Sequence, residues 1–183
     1  MESRIKLLGH AAHPILVTFP LGALGFSVAS DLLHTLRGER RYAEAAAQSL
    51  DFGLATALVA APFGTIDWFA IRSSTRAKRV GLWHGLGNVA VLGLFAASRA
   101  LRARRNDDVR AKWLSAGGFL LTGVTAWLGG ELVERHRIGV QDDAHEDASS
   151  SLSSSDDQPT LRGYRSEPSE IEGSPAHRSP AHR

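Results

Sequence analysis

The chain of 183 residues contains no cysteine. Disulfides, thiolate catalysis and cysteine-ligated zinc or iron–sulfur centres are therefore excluded within it. It also lacks the linear signatures of catalysis and nucleotide binding: no Ser/His/Asp order, no HExxH and no glycine-rich phosphate loop. Gly81, Gly85 and Gly87 do not form a dinucleotide fingerprint, because no strand precedes them. The most informative lack is of charge. Residues 14–30, 52–66, 80–98 and 113–130 contain no Asp, Glu, Lys or Arg.

The averages conceal this pattern. Mean hydropathy is -0.12 and net charge +2, values that suit a soluble protein. Residues 1–140, however, form a basic body of 17 Lys and Arg against 10 Asp and Glu, and residues 141–183 form an acidic tail of 4 against 9. The basic residues of the body sit between the apolar runs. Juxtamembrane anchoring explains that placement more simply than nucleic acid does.

Each run, with its flanking residues, makes a helix of the length that crosses a hydrocarbon core of roughly 30 Å. The spans are expected at about 14–36, 45–71, 80–98 and 113–131. Pro14 suits a helix start, and Pro20 and Pro62 should bend the helices that contain them. Trp68, Trp83, Trp113 and Trp127 fall near span ends, as interfacial belts require. Small residues recur at four-residue spacing, as in Gly81 and Gly85, Ala60 and Gly64, and Gly93 and Ala97, which lets helices approach closely in lipid. A soluble bundle would show a polar helix face, and these runs show almost none. A signal peptide is the competing reading of the first run, but that run is long and three like it follow. The expectation is an all-α, four-helix transmembrane bundle over residues 1–140, followed by a disordered Ser-, Asp- and Pro-rich tail over 141–183. The tail ends in a tandem repeat, Ser174 to Arg178 and Ser179 to Arg183, to which no role is assigned. Four spans put both termini on one side of the membrane, side A. Basic residues flank both sides, so orientation is not given by the positive-inside rule.

Up-and-down order gathers scattered polar groups. His10 and His13 precede the first span, Asp67 lies near the end of the second, His84 and Asn88 near the start of the third, and Glu131 closes the fourth. All are expected at one level near side A. Ionisable groups in lipid face the bundle interior and need partners. Asp67 would pair with Arg72 or Arg135 in a purely structural network. Alternatively, His13 and His84 would clamp haem b between helices, with Asn88 and Glu131 supporting the ligands or handling protons. A third arrangement places one divalent metal on His10, His13, Asp67 and His84. It requires the His10–His13 stretch to be helical, so that residues three apart share a face. On side B, Asp31, His34 and Asp51 would anchor loops through Arg37, Arg40 or Arg41, and Glu44 would be solvated.

Gly9-His10-x-x-His13-Pro14, Val17-x-Phe19-Pro20-x-Gly22 and Asp31 resemble the opening of a bacterial membrane family, the domain of unknown function numbered 2231. The resemblance continues through Ala61-Pro62-x-Gly64-x-x-Asp67 and His84-Gly85-x-x-Asn88. It closes with Gly129-Gly130-Glu131-Leu132-Val133 and Arg135-His136-x-x-Gly139-Val140. It covers residues 9–140 and implies a four-span protein of the bacterial inner membrane. Some family members carry a Rieske-type iron–sulfur domain on the same chain, which implies a redox setting. Without cysteines, this chain would need a partner protein to supply the other centre. Three functional classes are therefore weighed. They are a haem- or metal-binding redox component, a non-catalytic membrane scaffold, and an ion or proton permease that would have to assemble as a homo-oligomer.

Overall fold

A computed structural model describes residues 1–140; the expected disordered tail, 141–183, lies outside the described residues. The lead folds as a small antiparallel hairpin of β1 (Lys6–Leu7) and β2 (His10–Ala11), with Lys6 opposite Ala11 and Leu7 opposite His10. Its two-residue turn puts Leu8 at φ 50° and Gly9 at φ 81°. Two successive positive φ values match the right-handed twist of a hairpin and favour glycine at the second position. Four helices follow: α1 (Ala12–Arg37), α2 (Arg40–Ala70), α3 (Arg76–Arg102) and α4 (Val109–Glu134).

All four are long and apolar enough to cross a membrane. In lipid no water satisfies backbone groups, so helices that close their own hydrogen bonds are the natural solution. Each helix outruns the charge-free stretch that marks it. α2 begins at Arg40 rather than near 45, α3 runs to Arg102 rather than 98, and α4 begins at Val109 rather than 113. The charge-free run measures the hydrocarbon core, whereas the helix continues into the headgroup zone, where Arg and Lys reach water. The ends are set locally. Gly38, at φ 71°, closes α1 with its N–H on the His34 carbonyl at 2.8 Å. Thr75 caps α3 by accepting from the Lys78 amide, and Asp108 caps α4 by accepting from the Arg110 amide. α1 and α2 continue through Pro20 and Pro62.

The interior is built of small side chains, and bulky ones point outward. Ala12, Ser27, Ala43, Ala46, Gly53, Ala57, Ala60 and Ser98 are buried, whereas Phe19, Phe26, Phe69, Trp83, Trp113, Leu120 and Trp127 are exposed to lipid. Without a hydrophobic drive between helices in lipid, close backbone approach and polar contacts hold them together. One apolar cluster, Leu24, Leu50, Val91 and Phe95, fills the middle of the bundle. The expected small-residue pairs are only partly used. Gly64 and Gly81 face neighbouring side chains, but Gly85 and Gly93 meet nothing within 4 Å.

The helices pack chiefly as two hairpins, α1 with α2 and α3 with α4. The contacts of the first hairpin recur in the second at one constant spacing between α1 and α3 and another between α2 and α4. Ser27 Oγ donates to the Ala46 carbonyl at 2.8 Å, and Ser98 Oγ to the Ala111 carbonyl at 2.7 Å. Leu24 covers Gly53, and Phe95 covers Gly118. His13 lies over Gly64 and bonds to the Ala60 carbonyl; His84 lies over Gly129 and bonds to the Thr125 carbonyl. The domain is a tandem repeat of one helical hairpin.

Candidate functional site

The imidazoles at matching positions of α1 and α3 are held alike. His13 Nδ1 lies 3.2 Å from the Ala60 carbonyl oxygen, and His84 Nδ1 lies 2.8 Å from that of Thr125. A carbonyl only accepts, so in both rings Nδ1 carries the proton and donates. In the neutral form each Nε2 then holds a free electron pair, the tautomer required of a metal ligand. The glycines beneath the rings are part of this geometry. A Cβ at Gly64 would fall 2.7 Å from His13 Cε1, and one at Gly129 would fall 3.1 Å from His84 Cε1. Asn88, one turn from His84, donates from Nδ2 to His84 Nε2 at 3.1 Å and to the His84 carbonyl at 3.0 Å.

The remaining side A groups have partners other than those expected. Asp67 meets neither Arg72 nor Arg135. Ser3 Oγ lies 2.9 and 2.8 Å from its two oxygens, and the Arg4 amide donates to it at 2.8 Å. Its role is to fasten the lead, whose hairpin brings a hydroxyl and an amide to the carboxylate. Arg135 pairs instead with Glu131 at 3.1 Å, one turn away on the same helix. His10 lies in β2, not in a helix, and its Nδ1 contacts the Leu8 carbonyl at 3.1 Å. The helical spacing that would let His10 and His13 share one ion is therefore not formed. Among the described residues, no group of three or more His, Asp or Glu is placed to hold a metal ion.

Side B differs more sharply from expectation. Asp31 pairs not with the loop arginines but with Arg102 of α3. The guanidinium spans both carboxylate oxygens at 2.9 and 2.5 Å, and both residues are buried. Ser98, Ser115 and the Asn106 carbonyl bond the rest of Arg102. Asp51 pairs with Arg99, and His34 contacts Lys112 at 2.7 Å. Arg40 pairs with Glu44, and Arg41 with Glu39. These choices follow from hairpin packing, which points Asp31 across the bundle rather than along it. In the α3–α4 loop, the Arg110 side chain and amide hold the Asp108 carboxyl down to about 2.

The sequence reading missed Ser3, Ser27, Ser98, Ser115, Thr125 and Arg102. The signal that would have found most of them is the matched spacing of His13 with His84, Ser27 with Ser98, Gly53 with Gly118 and Gly64 with Gly129.

Four apolar helices with charged ends and polar contacts buried between them define a multi-pass membrane protein in contact with the lipid bilayer. The chain belongs to the family described as "Predicted membrane protein (DUF2231)", whose pattern matches residues 9–142. No curated protein and no solved structure matches it.

Proposed function

We propose that this chain is a small redox component of the bacterial inner membrane in which His13 and His84 hold haem b. The observation that supports this most is the matched pair of Nδ1–H to carbonyl bonds. A backbone carbonyl on Nδ1 is the usual partner that orients a ligating imidazole and raises its basicity. Two such rings occupy equivalent positions of the two hairpins, and haem held between them would take both Nε2 atoms. Bound there, haem would supply one-electron transfer. The chain's own part would be to fix both rings by Ala60 and Thr125 and to keep water out with the apolar cluster below. Asn88 would have to turn from His84 Nε2 to its other acceptor, the His84 carbonyl. A redox partner protein would carry electrons onward, since the chain has no cysteine to ligate an iron–sulfur centre. The test is an absorption spectrum of the detergent-purified chain from cells grown with ample haem. A Soret band, lost in both His13→Ala and His84→Ala, is expected. A colourless, correctly folded protein overturns the reading, and elemental analysis of that sample checks for a bare divalent metal.

A second reading is favoured by the Asn88 contact, which already satisfies His84 Nε2. On it, the chain is a membrane scaffold and the histidines are interhelical locks. Asp67→Asn and His84→Gln would then lower the unfolding temperature without removing any bound species.

A further inference from the structure

A second polar cluster, away from the histidine pair, lies where α2, α3 and the end of α4 meet on side A. It surrounds a cavity of about 550 Å3 lined by Ile71, Arg72, Thr75, Arg76, His136 and Ile138, among others. No carboxylate lines it. Arg72 and Arg76 are exposed and make no ion pair with any described residue. At the opposite end of the bundle, Arg40, Arg41, Arg105 and Arg110 each have a carboxylate within 3.2 Å. The difference is one of placement. Side B loops carry their own acids, whereas the α2–α3 loop, residues 71–75, carries none.

Two further features point to an anion in this cavity. His136 Nε2 is shut away from solvent and has no hydrogen-bond partner. A buried polar atom left unpaired costs about 1–3 kcal/mol, so it asks for a partner. The wall at Thr75, Arg76 and Ala77 is the first turn of α3, whose amides and dipole favour negative charge. Two guanidiniums suit the paired oxygens of a phosphate better than a single carboxylate. The cavity also opens beside Ala70, Ile71, Ala77 and Ile138, at the level where α2 ends and α3 begins. That is headgroup depth, with an apolar wall against which an acyl chain can lie.

We propose that this cavity binds a phosphate group, that of an anionic phospholipid, through Arg72, Arg76 and His136. The site is independent of the histidine pair and of any cofactor held there. The test reconstitutes the full chain in phosphatidylcholine vesicles with and without phosphatidylglycerol. Lipid retained on gentle extraction is counted by native mass spectrometry. Retention of phosphatidylglycerol over phosphatidylcholine is expected. It should fall about fivefold for each of Arg72→Gln and Arg76→Gln, the scale of one basic residue at an anionic surface. Arg40→Gln and Arg41→Gln at the other end should leave retention unchanged. His136→Phe removes the unpaired nitrogen and should lower retention while raising, not lowering, the unfolding temperature in pure phosphatidylcholine. Inorganic phosphate alone, added to the detergent-solubilised chain, separates the sources. Stabilisation by phosphate that Arg72→Gln abolishes, without selective lipid retention, supports a site for a soluble phosphate. Equal retention of both lipids with no phosphate effect overturns the proposal. So does equal loss of phosphatidylglycerol in the Arg40 and Arg72 variants.

Discussion

Asp31 and Arg102 stand at matching positions of the two hairpins, and they bond to each other. Their contacts of 2.9 and 2.5 Å join the two hairpins through a carboxylate and a guanidinium. Such a pair gives little net stability over a well-packed apolar pair, but removing one partner strands a buried charge.

Asp31→Asn or Arg102→Met is therefore expected to cost about 3–5 kcal/mol. The double variant Asp31→Asn/Arg102→Met should cost less than the sum of the two. Unfolding in detergent micelles checks this. Additive losses would show that the two residues do not depend on each other.

The glycines divide into two groups. Gly64→Ala and Gly53→Ala would drive a Cβ to 2.7 Å from His13 and from Leu24. Overpacking of this kind costs about 1–3 kcal/mol. Gly22→Ala and Gly93→Ala meet open space and should leave the unfolding temperature unchanged or slightly raised. Thermal denaturation of the four variants checks the contrast.

Ser27→Ala and Ser98→Ala remove equivalent hydrogen bonds, each expected to be worth about 0.6 kcal/mol in a membrane interior. They lie in different hairpins, so the double variant should add the two losses. A much larger effect for Ser98 would mean that its further contacts, with Ser115 at 2.8 Å and with the Arg102 guanidinium at 3.3 Å, carry most of the energy.

The α4 cap titrates. The Asp108 carboxyl is lowered from 3.8 to about 2, first by the Arg110 side chain and then by its amide. A lowered carboxylate stabilises the fold above its unfolded value and loses that contribution as pH falls through the folded one. Protection of the first-turn amides of α4 should thus weaken between about pH 4 and pH 2. Hydrogen exchange on the wild type and Asp108→Asn checks it; Asn keeps the acceptor, and its profile should be flat over that interval.

Much of this architecture is written in the chain as absence of charge. Four uncharged runs announce four helices because hydrocarbon tolerates little else. Helix ends are less legible, since a helix does not stop where the oil stops; Arg40 and Arg102 lie inside helices although both are charged. The residues of the side A layer stand out as the rare polar groups among apolar ones, and His84 and Asn88 do meet. Their partners do not stand out. Asp67 binds Ser3, which sits in a lead with no periodicity to read. Asp31 binds Arg102 through a long side chain reaching from α3, which depends on how the hairpins dock rather than on neighbours in sequence. Serines such as Ser27 and Ser98 look like ordinary small residues until the carbonyl opposite each is known.

The unlike charges at Asp31 and Arg102 decide which assemblies this duplicated architecture permits. Two copies of the first half, brought together as twins, would set carboxylate against carboxylate at their centre. Two copies of the second would oppose two guanidiniums. Each half is unfit for its own likeness and fit for its sibling, so joining both on one chain guarantees the mixed couple at equal dose.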